Sequence, residues 1–529
     1  MSQETSHYRR PLWLGLIVFI IVLSVDIKLM SPWVSWELDS QDSGDLICSA
    51  YFLGIPHPTG YPTYCMLAKL VQTIVPIKSI AWRTNLFSAL SAAFCCAVMA
   101  LTMHRLLWAA GQYDGKRRSW TAPAIAATVG LGLGFSRTFL SQSVVSEVYA
   151  LNAAFVALDI ALIIEIFFSV YEKHPMEHIR RNLAALSVIY GLTLTNHLSS
   201  AFIFPLVLAG FIAARKAINI KLLLLYILYF IIGLIPYLYL PLRSAANPPF
   251  DWGNPQTPGN FIWVITGSQF KHLMFASFDY QVIHRLFNKF EPVLELGPIF
   301  ALTVLWGASA AARGGLLSRF ALIAVALMVL NLLPVMNYHI SDTQSFLLPT
   351  FIGTAMLLGL GLHDILRRSA GIKLSPGILL CILILASLPS YFMNIRHDNL
   401  SRNLRPKEYA ERVYNELPDG AILVETFYAR AFTMWYEQFI ETGNRRNVAV
   451  VYAEHLRFDW GVENLKRLYP WIDFPGANQD EGAAIAAFVD RNYGSVPIFL
   501  SREVLSLKGK YDYLPFGEIF RLKRVENTQ

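Results

Sequence analysis

Five polar stretches interrupt an otherwise apolar chain, and their residue types suit proton transfer and anion binding. The first, WELDSQDSGDLICSAYFLGIPHPTGYPTY, carries Glu37, Asp39, Asp42 and Asp45, with His57 between Pro56 and Pro58 and Tyr61 close behind. The second, FSRTFLSQSVVSEVYALN, carries Arg137, Glu147, Tyr149 and Asn152. TNHLS supplies Asn196 and His197, and LPLRSAANPPFDWGNPQTPGNF supplies Arg243, Asp251, Trp252 and Asn254. NYHISDTQSFLLP supplies Tyr338, His339, Asp342 and Gln344. A carboxylate within reach of a hydroxyl can take its proton, which is typically worth about 10²–10⁴-fold in rate. To do so it must stay ionised, so it needs water or a nearby donor; full apolar burial would raise its pKa.

Each residue also has a structural reading. Asp42-Ser-Gly-Asp45 precedes an apolar run and reads equally well as a helix N-cap. His57 between prolines suits a rigid turn, and Glu147 suits a carboxylate at a helix start. His197 fits a satisfied core histidine, Arg243 a headgroup anchor, and Trp252 an interfacial aromatic. Joint occurrence favours chemistry. Ionisable groups at membrane depth are costly unless they line a wet cavity or bind something. Independent structural roles would scatter them over both faces. Asp39, Asp42 and Asp45 recur every three residues, a rough helical face on which three carboxylates would suit Mg²⁺ or Mn²⁺. DSG resembles a cap more than the middle of a helix, so no metal ligand and no cofactor is assigned.

Membrane helices must position these groups. The chain has 529 residues, 54% hydrophobic and 15% charged, against roughly 25% charged in soluble domains. From Arg396 onward lie 37 of the 81 Asp, Glu, Lys and Arg residues. An apolar body over 1–395 therefore precedes a soluble domain over 396–529. This composition excludes a string of soluble domains, a disordered chain and a disulfide-framed module. The net charge of +7 belongs with membrane topology, and no nucleic-acid partner is expected. Five cysteines show no CxxC and no metal-type array. Asp159 and Glu165 read as packing or interhelical partners, not as catalysts.

Apolar runs predict about eleven transmembrane helices: near 12–30, 85–108, 121–138, 148–170, 183–198, 200–214, 221–240, 294–312, 316–336, 345–363 and 374–393. The first reads as an uncleaved signal anchor. With Arg9 and Arg10 cytoplasmic, the basic groups Lys116–Arg118, Lys173 with Arg180 and Arg181, Arg215 to Lys221, Arg313 with Arg319, and Arg367 to Lys373 all fall inside. That holds only if 45–78 lies on the outer face without crossing; a second outer-face loop element is expected near 255–290. The five polar stretches then share the outer side, together with the C-terminal domain. In that domain AILVET, NVAVVY and VPIFLS read as strands, with helices near 428–441 and 482–493, a small α/β unit suited to acceptor docking or to covering the membrane cavity.

The motifs also carry a resemblance. DSGDLICSAYFLGIPHPTGYPTY resembles the D-S/C-G-E…HPPGYPLY signature of the membrane family long labelled domain of unknown function 2723. SVVSEVYALN, GLTLTNHLS and LYLPLRSAANPPFDWGNPQT resemble its A-V-x-E-V-Y-x-L-N, G-L-x-x-x-N-H and L-P-L-R…P…W-G-x-P blocks, in order, over roughly residues 30–350. Asp45 stands where that family usually has Glu, and Thr59 replaces a proline. The family is similar to the C-type glycosyltransferases, and its eukaryotic branch includes a protein O-mannosyltransferase of the endoplasmic reticulum. The resemblance implies a polytopic α-helical enzyme, active on the non-cytoplasmic face, using a polyprenyl-phosphate-linked sugar donor. By motif its catalytic base is Asp42, with Asp45 beside it.

The expected function is inverting transfer of a sugar to an acceptor hydroxyl of a protein, envelope glycan or lipid at the outer face of an inner or plasma membrane. Asp42 and Asp45 are the candidate catalytic pair. Arg243, His57 and His197 are candidates for the donor phosphate, since a guanidinium binds phosphate bidentately. Glu147, Tyr149, Asn196, Tyr61 and Trp252 are candidates for the substrate. A lipid-borne donor agrees with a sequence in which no nucleotide-binding fingerprint is found. The alternative is a transporter or flippase for a lipid-linked glycan; such proteins often show inverted repeats, and no convincing repeat is seen.

Overall fold

Long apolar runs form helices because lipid offers backbone groups no other partner. A computed structural model describes residues 10–113, 120–274, 295–340, 342–369, 375–443 and 447–525. The membrane body contains α1 (Leu12–Leu29), α2 (Ser43–Phe52), α3 (Pro62–Ile74), α4 (Ile80–Tyr113), α5 (Thr121–Gly134), α6 (Arg137–Ser143), α7 (Tyr149–Tyr171) and α8 (Met176–Asn196). It continues with α9 (Phe204–Ala213), α10 (Ile220–Leu234), α11 (Tyr239–Ala245), α12 (Pro258–Ile265), α13 (Pro298–Ala308), α14 (Leu316–Met336), α15 (Leu348–Arg368) and α16 (Pro376–His397). α15 is almost wholly enclosed, whereas α10 turns Leu224, Leu228 and Ile231 outward, as a lipid-facing helix should.

All eleven expected segments contain helix, but they are not eleven equal spans. Among the described residues seven helices are long and apolar enough to cross a bilayer, and an eighth results if α5 and α6 form one broken span. That pair bends by 67°, at the end of the segment expected over 121–138. The break falls where SRTFLSQS begins, a polar run that packs inside the protein instead of continuing into lipid. α8 opens on the charged MEHIRR, and the apolar helices over 198–213 and 298–312 are shorter. Asp159 accepts from the Thr193 hydroxyl at 2.8 Å, the interhelical role expected of it. The inner-loop positions Arg9, Lys116–Arg118 and Lys373 lie outside the described residues, as do positions 275–290 of the second expected outer element. Its described part contains α12.

α2 and α3 have 10 and 13 residues, so at 1.5 Å per residue they reach only about 15 and 20 Å, short of a hydrocarbon core of about 30 Å. The turn between them is pinned to the loop before α12. The Ile55 N–H donates to the Phe250 carbonyl at 2.8 Å, and the Trp252 N–H donates back to the Ile55 carbonyl at 3.1 Å. Gly54 permits this approach: a Cβ there would lie 2.3 Å from the Phe250 oxygen.

The C-terminal unit carries α17 (Arg405–Glu416), β1 (Ile422–Glu425), α18 (Tyr428–Tyr436), β2 (Ala449–Tyr452), α19 (Asp459–Leu468), α20 (Glu481–Asn492), β3 (Ile498–Leu500), β4 (Tyr511–Phe516) and β5 (Ile519–Arg524). The sheet order is β2-β1-β3-β5-β4. β1 pairs in parallel with β2 and β3, and these three strands are buried along their length, as parallel strands covered on both faces should be. The antiparallel β4–β5 hairpin was not among the expected strands.

α18 lies against α2. The Trp36 indole N–H donates to the Thr433 hydroxyl at 2.8 Å, and Phe432 sits directly over Gly44. A Cβ on Gly44 would lie 2.8 Å from the Phe432 Cβ. Gly44→Ala is therefore expected to cost about 1–3 kcal/mol through overpacking. A lowered melting temperature of the detergent-solubilised protein would register it, and an unchanged one would mean that α18 moves away freely.

Candidate active site

DSGD folds as a turn running into α2, and its four residues separate in role. Asp42 occupies the cap position, yet its carboxylate makes no hydrogen bond to the helix's free N–H groups. It turns instead toward His57, whose Nε2 lies 3.3 Å from Asp42 Oδ2. The Ser43 hydroxyl donates to the Ser146 carbonyl at 3.0 Å, tying α2 to the loop before α7. Gly44 admits Phe432. Asp45, one turn in, is 1% exposed and fully engaged. Its Oδ2 accepts from the His57 backbone N–H at 2.8 Å and from the Tyr428 hydroxyl at 2.8 Å, and lies 2.8 Å from His57 Nδ1. Its Oδ1 accepts from the Ser49 hydroxyl at 3.1 Å.

His57 thus stands between two carboxylates. Burial alone would lower its pKa, but Asp42 and the hydrogen bond to Asp45 outweigh that and push it up to about 9. The ring is then an imidazolium donating from both nitrogens. Burial, reinforced by Asp342 and Asp45 and opposed by His57, raises Asp42 to about 6. The two aspartates assigned together from the sequence are therefore not equivalent. Both oxygens of Asp45 already accept hydrogen bonds, away from water. Asp42, with its side chain 28% exposed, faces a cavity.

That cavity measures about 360 Å³. Asp42, His57, Tyr61, Tyr149 and Trp252 line it, all predicted from sequence, and Asp342 faces them. The Tyr149 hydroxyl donates to Asp342 Oδ2 at 2.5 Å. Trp252 donates from its indole to Gln269 Oε1 at 3.0 Å and abuts Trp460, with 5.3 Å between centroids. Three other predicted residues stand behind the wall. His197 stacks on Tyr61 at 5.7 Å and holds Ser199 Oγ at 2.7 Å from Nδ1. Asn196 donates to the Val148 carbonyl at 3.4 Å. Glu147 is buried beneath Asp42, facing the backbone N–H groups of Val148 and Asp42; burial, with Asp42 and Asp342 adding, keeps its pKa well above the usual carboxylate range.

Arg243 departs from expectation. Its Nε donates to the Leu53 carbonyl at 2.7 Å and its Nη2 to the Phe52 carbonyl at 3.2 Å, capping the C-terminal end of α2. It does not line the cavity, and no lysine or arginine is among the described residues that do. The free carbonyls at a helix end attract a cation, and here they have taken the guanidinium expected for phosphate. The carboxylate trio also separates: Asp39 lines a different cavity, of about 290 Å³, with Arg137, Gln344 and Asp398.

Sequence reasoning missed the cavity's other wall. Tyr428, Tyr452 and Glu454 come from the C-terminal unit. Tyr428 follows β1 and Tyr452 ends β2, so the carboxyl ends of two parallel strands aim at the cavity. Ligands of open α/β sheets gather at that edge. With AILVET and NVAVVY read as strands, the residues just after them were the available signal.

Comparison with known proteins agrees with this architecture. A family model described as the protein O-mannosyl-transferase TMEM260 N-terminal domain matches residues 42–219, a stretch that holds Asp42, Asp45, His57, Glu147 and His197. Protein O-mannosyl-transferase TMEM260 of Mus musculus is 26% identical over 485 residues, covering 86% of this chain and 65% of the relative. The protein O-mannosyl-transferase tmem260 of Dictyostelium discoideum is 23% identical over 562 residues, covering 96% and 66%. The chain thus spans just under two thirds of the length of these relatives. ArnT from Cupriavidus metallidurans, solved bound to undecaprenyl phosphate, is similar with a TM-score of 0.61 at 12% identity, over 97% of this chain and 98% of ArnT. The apo oligosaccharyltransferase of Archaeoglobus fulgidus is similar at 0.51 and 11% identity, over 92% and 69%. At those identities the likeness concerns fold alone. This chain is an integral membrane protein, similar in sequence to the TMEM260 proteins and in fold to ArnT.

Proposed function

We propose that this protein is a membrane glycosyltransferase that moves a sugar from a polyprenyl-phosphate donor to an acceptor hydroxyl, with inversion, at the outer face of the membrane. The observation that carries the proposal is the Asp42–His57–Asp45 array at the wall of a cavity shared by the membrane body and the C-terminal unit. Asp42 takes the acceptor proton as the acceptor oxygen attacks the anomeric carbon. The bond to the donor phosphate breaks, and the phosphate leaves with its electron pair. Asp45 and Tyr428 hold His57 so that its imidazolium keeps Asp42 ionised and aimed. Tyr61 and Trp252 offer aromatic faces to the sugar. The lipid phosphate held by ArnT and the protein acceptors named in the TMEM260 relatives support this assignment of donor and acceptor class. The N-terminus is assigned to the cytoplasm and the C-terminal unit to the periplasmic or extracellular side.

The test incubates the purified protein with a panel of radiolabelled polyprenyl-phosphate sugars and acceptor proteins, glycans and lipids. Label moving to an acceptor hydroxyl supports the proposal. Lipid-sugar flipping in vesicles with no glycosylated product would replace it with transport.

A pH profile follows from the array. Asp42 protonates as pH falls through about 6, which removes the base. His57 loses its charge as pH rises through about 9, which removes the cation that holds Asp42. kcat/KM is therefore expected to form a bell with limbs near those values, each belonging to the coupled pair. A profile flat across both limbs would exclude this pair from the rate-limiting chemistry.

A further inference from the structure

The far end of α7 carries a second cluster of reactive side chains, which the transfer reaction does not use. α7 begins at Tyr149 beside the cavity, and its 23 residues carry the chain about 35 Å away from it. There Glu165, near the end of α7, meets His174 in the turn and His178 in the first turn of α8. One ligand atom from each lies within 4.8 Å of the others.

The surrounding bonds leave these atoms pointed inward. Arg105 of α4 pairs with both oxygens of Glu172, at 3.1 and 2.7 Å, and its Nε approaches Glu165 Oε2 at 3.4 Å. Glu165 Oε1 instead faces His178 Nε2 at 3.6 Å, too far for a hydrogen bond. That ring nitrogen is buried and has no hydrogen-bond partner. His174 Nε2 lies 3.1 Å from Glu172 Oε2, and the two imidazoles meet edge to face at 5.2 Å. Three guanidiniums border the two glutamates: Arg105 bridges both, while Arg10, 3.8 Å from Glu165, and Arg181, 3.3 Å from His178 Nδ1, reach in from exposed positions and must swing away for a cation to enter.

We infer that Glu165, His174 and His178 form a binding site for a divalent cation of the zinc type. Two imidazoles and a carboxylate suit zinc better than magnesium, which takes oxygen ligands. Zinc binds nitrogen and oxygen at about 2.0–2.2 Å, so the half-exposed histidine rings need to close by only about 1 Å to reach tetrahedral spacing. A water supplies the fourth position. The bound ion ties the α7–α8 turn together at the end of α7 remote from the cavity. This inference does not depend on the proposed transfer activity.

Cobalt titration of tag-free, chelator-treated protein in detergent tests it. The expected result is one saturable equivalent with the visible bands of tetrahedral cobalt, displaced by zinc. His174→Gln and His178→Ala should each weaken binding by more than about tenfold. His57→Ala, which alters the outer cavity, should leave it unchanged. Thermal unfolding without metal checks that each variant is folded; Glu165→Gln, which keeps the side-chain shape, gives a further variant should either histidine substitution unfold the protein. Absence of saturable cobalt binding would overturn the site. So would identical binding in the folded His174→Gln and Glu165→Gln variants, or a loss of stability in them with the cobalt bands intact, which would mark an ion-pair network only.

Discussion

Asp42→Asn is expected to lower sugar transfer by about 10²–10⁴-fold, the range for removal of a positioned general base. The amide keeps the size of the side chain and can still meet His57, so the fold should survive. Asp42 makes no capping bond whose loss would unwind α2. The effect should fall on kcat, because the proton moves only in the transition state. Single-turnover transfer with preloaded donor, read beside a melting curve, separates chemistry from folding. Wild-type turnover in a folded Asp42→Asn protein would remove Asp42 from the mechanism and return the cavity to a binding role.

Asp45→Ala should act through stability instead. Its carboxylate is buried and meets the His57 ring, the His57 backbone N–H and the hydroxyls of Tyr428 and Ser49. Deleting it leaves the imidazolium with Asp42 as its one remaining carboxylate and strands several donors away from water. Breaking a buried pair by removing one partner costs about 3–5 kcal/mol. A large drop in the melting temperature of the solubilised protein is the expected reading. Partial rescue is expected from Asp45→Asn, which retains an acceptor oxygen. Equal stability of Asp45→Ala and wild type would show that the turn between α2 and α3 is held by the Phe250 and Arg243 contacts alone.

The two aspartates show how far a sequence reaches. DSGD announced a functional turn, because paired carboxylates beside a proline-framed histidine are costly in an apolar chain. Three residues of separation say nothing about which carboxylate is free. Asp45 is spent because Tyr428, 383 positions later, brings its hydroxyl there. Arg243 teaches the same lesson in reverse. Its charge suggested phosphate, and the carbonyls at the end of α2 claimed it first. The missed wall of Tyr428, Tyr452 and Glu454 lay in a unit whose own composition is ordinary.

Composition and hydropathy alone determined a helical membrane body and the charge-rich unit behind it, and marked the polar stretches that meet in the cavity. Those properties follow from transfer energies, which add residue by residue along the chain. Tertiary structure alone decided which span breaks, which aspartate faces the cavity, what Arg243 binds and which distant tyrosine closes the site. Each of those outcomes is a competition among partners for a limited number of hydrogen bonds. Such competitions are settled only when segments far apart in the chain come within about 3 Å of one another.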